Sequence, residues 1–177
     1  MGFPIQELAM MTVPIIIDFE ASGFGQGSYP IEVGFSGRHG EGWCSLIRPE
    51  DDWTHWDLDA ARLHGIAREI LIERGNTAQF VAAQLNFFLG GRTVYTDAWG
   101  QDYVWMARLF DSAQITPKFK LIDLFEIIED GQLPNWDATK EQVMKELCVA
   151  RHRASSDARV LQLTWLRTYD EAKKQAV

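Results

Sequence analysis

His152 and Asp157 are separated by four residues in the run Arg151-His152-Arg153-Ala154-Ser155-Ser156-Asp157. Far upstream, Asp18 and Glu20 stand two apart in Ile15-Ile16-Ile17-Asp18-Phe19-Glu20-Ala21-Ser22-Gly23, and Asp102 closes the run Asp97-Ala98-Trp99-Gly100-Gln101-Asp102. Four carboxylates can hold two hard divalent cations through oxygen. One imidazole, with an ordinary pKa of about 6.5, can take a proton from an attacking water near neutral pH. Such a set supports metal-assisted hydrolysis of an electrophile such as a phosphodiester. Neither pair is specific alone, because thirteen Asp and four His in 177 residues produce these spacings readily by chance.

The elements around the motifs sharpen the reading. Residues 14–18 form a mostly β-branched run, apolar up to Asp18, the pattern of a strand buried on both faces and ending in polar residues. Asp18 and Glu20, two apart at its end, project from one face, and Gly23 and Gly25 let the backbone turn away from them. Residues 31–35 and 42–47 read as two further strands around a Gly-Arg-His-Gly turn, giving an antiparallel meander. Short helical pieces follow over 58–63 and 66–72. Asn76 with Gln79 resembles a capping box opening a helix that ends at Gly90-Gly91, with Phe80, Val81, Leu85 and Phe88 on one face. Residues 93–95 and 121–122 read as short strands, and Asp123 is placed to begin the next helix. Helices are expected over 103–110, with Asp102 near the start, over 137–149 with Val143 and Leu147 on one face, and from Ser156 onward. Ser155 or Ser156 would cap the last helix, placing Asp157 in its first turn and His152 in the loop before it. Asp97 rivals Asp102, but Asp97 suits a helix cap, whereas Asp102, about a turn further in, would face the sheet. The order predicts an α/β fold, a mixed central sheet of a three-stranded antiparallel meander plus parallel strands, flanked by helices. One domain is expected over 13–177, preceded by an arm over 1–12.

A formal charge of −8 argues against a broad basic surface for nucleic acid, although two bound divalent cations would halve it. Arg151, Arg153 and Arg159 gather around the His152 motif, where a solvated face is the commoner reading and phosphate contact the alternative. No apolar run approaches the roughly 18 residues of a membrane span, and the leading segment lacks the pattern of a secretory signal, so a soluble, cytoplasmic protein is expected. Cys44 and Cys148 lack metal-ligand spacing and read as reduced, partly buried thiols.

In order and surroundings the motifs resemble the DEDDh branch of the DnaQ-like 3′ to 5′ exonucleases, which have an RNase H-like fold. The likeness rests on Asp18-Phe19-Glu20-Ala21-Ser22-Gly23, Ser28-Tyr29-Pro30-Ile31-Glu32-Val33-Gly34, Leu63-His64-Gly65-Ile66, the run from Val94 to Asp102, Leu121-Ile122-Asp123-Leu124, and the run from His152 to Asp157. It spans about Val13 to Leu166, and His-x4-Asp selects the histidine branch. Asp97-Ala98 stands where many relatives have His-Asn, and Gln101 replaces an aromatic residue. The resemblance implies that Asp18, Glu20, Asp102 and Asp157 hold two Mg²⁺ or Mn²⁺ ions, with Asp18 between them and His152 as general base. It implies a pocket for the terminal nucleotide bordered by Ala21, Ser22, Gly23, Phe24 and His64, and release of nucleoside 5′-monophosphates from the 3′ end of DNA or RNA. The implied partner is a single-stranded nucleic acid end, with no membrane; a homodimer is compatible with it. Phe24 could stack on a base or lid the core, while packing is the better reading of Trp53, Trp56 and Trp99. Two other readings remain on the same fold: a catalytically silent nucleic-acid-binding or interaction module, and a polymerase proofreading subunit.

Overall fold

Strand β1 (Ile15–Ala21) alternates its side chains between two apolar layers, with Ile15, Ile17, Phe19 and Ala21 entering one and Ile16 the other. A strand buried on both faces belongs at the centre of a sheet, and the order here is β3-β2-β1-β4-β5. β2 (Pro30–Ser36) and β3 (Gly42–Leu46) form the antiparallel meander, while β4 (Thr93–Thr96) and β5 (Lys120–Asp123) run parallel to β1. The mixed sheet is the one the sequence predicts. The computed structural model describes residues 13–148 and 152–175. The arm expected over 1–12, Arg151 and the end of the helix expected to reach Val149 lie outside them.

Six α-helices occur among the described residues: α1 (Leu58–His64), α2 (Arg68–Arg74), α3 (Ala78–Leu89), α4 (Trp99–Ala113), α5 (Trp136–Leu147) and α6 (Ala154–Gln175). Val81, Leu85 and Leu89 of α3 and Trp105, Leu109 and Phe110 of α4 pack against the odd-numbered β1 side chains. Trp136 of α5 and Ala158, Leu161 and Trp165 of α6 pack with Ile16 on the opposite face. Asp18 and Glu20 follow Ile16 in the period of two, so they lie on the face that α6 covers.

Several local expectations are corrected. Thr77, not Asn76, caps α3 by accepting the Phe80 amide at 3.3 Å, and the Asn76 side chain instead donates to Ser45 Oγ at 2.9 Å. Phe80 faces outward, and the buried face is made by Ala78, Val81, Ala82, Leu85 and Leu89. α4 begins at Trp99, four residues sooner than its apolar pattern indicates, so Asp102 sits in its first turn. Both cysteines are exposed rather than partly buried.

Helix α6 approaches the sheet at a point where no side chain intervenes. Gly34 of β2, paired in register with Asp18, faces the first turn of α6, and a Cβ there would lie 2.3 Å from the Ser155 nitrogen. Further along, buried Gln162 accepts the Ser36 hydroxyl at 2.6 Å and directs its amide to the Pro14 and Gly37 carbonyls at 2.8 Å. The atom opposite Gly34 is backbone, which cannot swing aside, so any side chain there must lift the helix. Gly34→Ala is therefore expected to cost about 1–3 kcal/mol in urea unfolding, with Gly34→Val costing more; an unchanged midpoint in both variants would refute this contact as a constraint.

Candidate active site

The site forms where β1 and β4 end. Asp18 and Glu20 leave β1 on its α6 face, and α6 brings Asp157 in its first turn, with His152 just before the helix. Glu20, His152 and Asp157 offer ligand atoms that all lie within 4.8 Å of one another. Asp102 arrives from α4 and is 1% exposed. The Thr96 hydroxyl at the end of β4 donates to Asp102 Oδ2 and accepts the Ala98 amide at 3.2 Å, tying the strand end, the helix start and the carboxylate together. All five residues line one cleft of about 490 Å³, whose walls include Phe24, Leu63, His64, Gln101 and Trp105. A smaller recess of about 180 Å³ shares Asp18, His152 and Asp157 and adds Asp97, Lys140 and Met144. Open crevices at the carboxyl ends of parallel strands are the usual ligand sites of α/β sheets.

Of the residues expected around a terminal nucleotide, Ala21, Gly23, Phe24 and His64 line the cleft. Ser22 does not. It is fully buried, and its hydroxyl meets His55 Nδ1 at 3.0 Å and accepts the Tyr29 amide at 3.1 Å, so it ties the turn down rather than facing a ligand. Gly23 has φ +136°, and a Cβ there would meet the Asp57 Cβ at 2.5 Å, which makes glycine necessary. Phe24 is 70% exposed, with its ring 5.9 Å from that of Trp105, and it is no lid over the core. His64 Nδ1 accepts the Ile66 amide at 3.1 Å, which assigns the neutral-ring proton to Nε2. That buried Nε2 has no partner among the described residues, and burial lowers the pKa of the ring. Trp53 is buried and Trp56 packs against the core, as expected, whereas Trp99 stays partly at the surface, its ring tilted by 30° against that of Tyr103.

The serine caps predicted for α6 are absent. The Ser156 and Asp157 amides donate to the Arg153 carbonyl at 2.8 and 3.0 Å, so the helix starts at Ala154, before either serine hydroxyl could serve. Asp97 caps no helix either; it pairs with Lys140 at 3.2 Å, and α4 has no side-chain cap. Arg153 donates to Glu32, and Arg159 donates from one Nη to Gln162. Sequence reasoning missed Lys140, Thr96 and the role of Glu32. Only Glu32 carried a signal: an acid in the middle of an apolar strand.

Burial dominates the electrostatics. It holds Asp18 well above the usual carboxylate range, reinforced by Asp102, Glu20 and Asp157. Glu20 is pushed up to about 8 by burial, then by Asp157 and Glu32, with Arg153 opposing. Asp102 is pushed up to about 7 by burial against the lowering effect of the Thr96 hydroxyl. Asp157 is raised by burial, opposed by the ring and backbone N–H of His152. Sheltered oxygen donors that repel one another, with a single imidazole beside them, are the donor set a hard divalent cation satisfies. The residues present therefore fit such ions.

No protein-family model and no curated protein matches this chain. Solved structures do match its fold. Product-bound exonuclease I superposes with a TM-score of 0.67 at 15% identity, over 91% of this chain and 44% of that one. Exonuclease I from Methylocaldum szegediense gives 0.64 at 14% identity over 86% and 40%. E. coli exonuclease I in complex with a dT13 oligonucleotide gives 0.64 at 16% over 89% and 40%. The chain has the fold of exonuclease I, a mixed five-stranded sheet flanked by helices. It spans about two fifths of the length of those chains. No helix among the described residues is long and apolar enough to cross a membrane.

An acid whose pKa is raised by folding holds more protons folded than unfolded, so its contribution to stability is full below its unfolded pKa and is lost as pH rises toward its folded one. His64, with a lowered pKa, opposes this trend below about 6.5, as one imidazole against several acids. The metal-free protein is accordingly expected to melt at a lower temperature at pH 8 than at pH 5, and added Mg²⁺ or Mn²⁺ should restore the loss. A metal-free melting temperature that rises over this interval would contradict the buried cluster.

Proposed function

We propose that the chain is a metal-dependent 3′ to 5′ exonuclease acting on single-stranded DNA or RNA and releasing nucleoside 5′-monophosphates. The observation that carries this reading is the convergence in one cleft of Asp18, Glu20, Asp102, Asp157 and His152, drawn from three distant parts of the chain. Asp18, Glu20, Asp102 and Asp157 hold two divalent cations, Mg²⁺ or Mn²⁺. When bound, such ions supply Lewis-acid stabilisation of charge on a phosphodiester and lower the pKa of water. His152 accepts a proton from the attacking water at a ring nitrogen, which its place beside Glu20 and Asp157 permits. Phe24, exposed at the rim, offers a face on which a base can stack. His64 Nε2–H offers a donor to the terminal nucleotide, and Ala21 and Gly23 bring backbone close to it. The exonuclease I structures solved with oligonucleotides support a single-stranded substrate. The exposed thiols of Cys44 and Cys148 suit a reducing compartment such as the cytoplasm.

The test is a panel of 3′-labelled single-stranded and duplex DNA and RNA, each incubated with Mg²⁺ and with Mn²⁺. Labelled mononucleotide is expected as the first product, and chelation should abolish it. His152→Ala should remain folded and lose about 10²–10⁴-fold in kcat, and Asp18→Asn should be at least as impaired. Near-wild-type turnover by His152→Ala would remove the assigned base. Binding without cleavage in both metals would favour a silent nucleic-acid-binding module.

A further inference from the structure

We propose that Glu32 and Arg153 form a clamp that positions His152 for the reaction, an inference that rests on the exonuclease reading above. Glu32 lies in the middle of β2, is 2% exposed, and stands in register opposite Glu20. Burying a second carboxylate beside an acid is unfavourable unless its oxygens are fully engaged. They are: Arg153 donates from Nε to both oxygens at 3.1 Å and from Nη2 to Oε1 at 2.7 Å, and the Ala154 amide donates to Oε2 at 3.0 Å. The Ala154 amide is the first of α6 and has no acceptor within its own helix, so Glu32 serves as the cap that neither serine provides.

The clamp grips the two residues that immediately follow His152. His152 itself has φ +61°, a left-handed conformation that costs a non-glycine residue energy and persists only when its surroundings enforce it. A guanidinium bound through two nitrogens fixes orientation as well as distance, which a single-point ammonium contact does not. Because β2 is paired to β1 through Glu20 and Glu32, the clamp sets the spacing between the strand that carries Asp18 and Glu20 and the segment that carries His152 and Asp157. Glu32 does not line the cleft, so its role is positioning and not catalysis. The Arg153 side chain is 45% exposed, so altering it removes little packing.

The test uses Arg153→Lys and Glu32→Gln, alone and combined with His152→Ala, with backbone NMR order parameters for residues 152–157 and urea midpoints as companions. Arg153→Lys is expected to lower kcat by about 10²-fold with KM nearly unchanged, and to move the His152 amide from the rigid range near 0.85 toward the flexible range below about 0.6. In the His152→Ala background the same substitution should cost almost nothing further, because a positioning residue has nothing left to position. Wild-type kcat and order in both single variants would overturn the clamp. So would an equal fold-loss with and without His152, which would mark a purely structural ion pair. If the unaltered protein cleaves no nucleic acid, the exonuclease reading falls by itself, and the order parameters still decide whether Glu32 and Arg153 hold His152.

Discussion

Four carboxylates crowd the carboxyl end of β1, and burial there disfavours every one of their negative charges. Left to itself the cluster would relax by swinging outward to water or by opening the contact between α6 and the sheet. The scaffold prevents both. Gly34 lets α6 press onto β2 beside Asp18, Gln162 ties the helix to the far end of β1 and β2, and Thr96 holds the carboxylate of Asp102 in place. The triple isoleucine that begins β1 supplies the rigid, doubly covered strand from which the first two acids project. Local repulsion is maintained by global packing, the arrangement expected where charge is stored for a ligand to neutralise.

Much of this was legible in the chain. The run Ile15-Ile16-Ile17 announces a strand covered on both sides, and the period of two then assigns Asp18 and Glu20 to one face without further information. Asp102 over Asp97 was legible for a related reason, since a residue one turn into a helix has its direction set by the backbone. What failed was local capping. Thr77 displaced Asn76, and Ser155 and Ser156 gave way to Arg153 and Glu32, because a cap is settled by whichever acceptor tertiary structure delivers first. Glu32 is separated from its partner by 121 positions, and nothing within a short window could have paired them. The resemblance sets Ser22 at the border of a nucleotide pocket, yet its hydroxyl is consumed by His55 and Tyr29 from beyond its turn.

The departures from the family pattern now have physical content. Asp97 is tied to Lys140 of α5, and Ala98 and Gln101 both line the cleft. Apart from the four acids and His152, the described walls of the cleft are mostly apolar and aromatic, with His64 and Gln101 as the polar members.

The distance in sequence between Glu32 and Arg153 also orders events in time. A chain made from its amino end exposes β1 and β2 early, but the donors on α6 emerge only after most of the fold has been synthesised, at roughly 5–20 residues per second. Contacts this remote are among the slowest to form. The half-built molecule thus carries Asp18 and Glu20 without His152 or Asp157, and the complete constellation appears only when the last helix docks. Any hydrolytic capacity is withheld from the nascent chain until its tertiary structure closes.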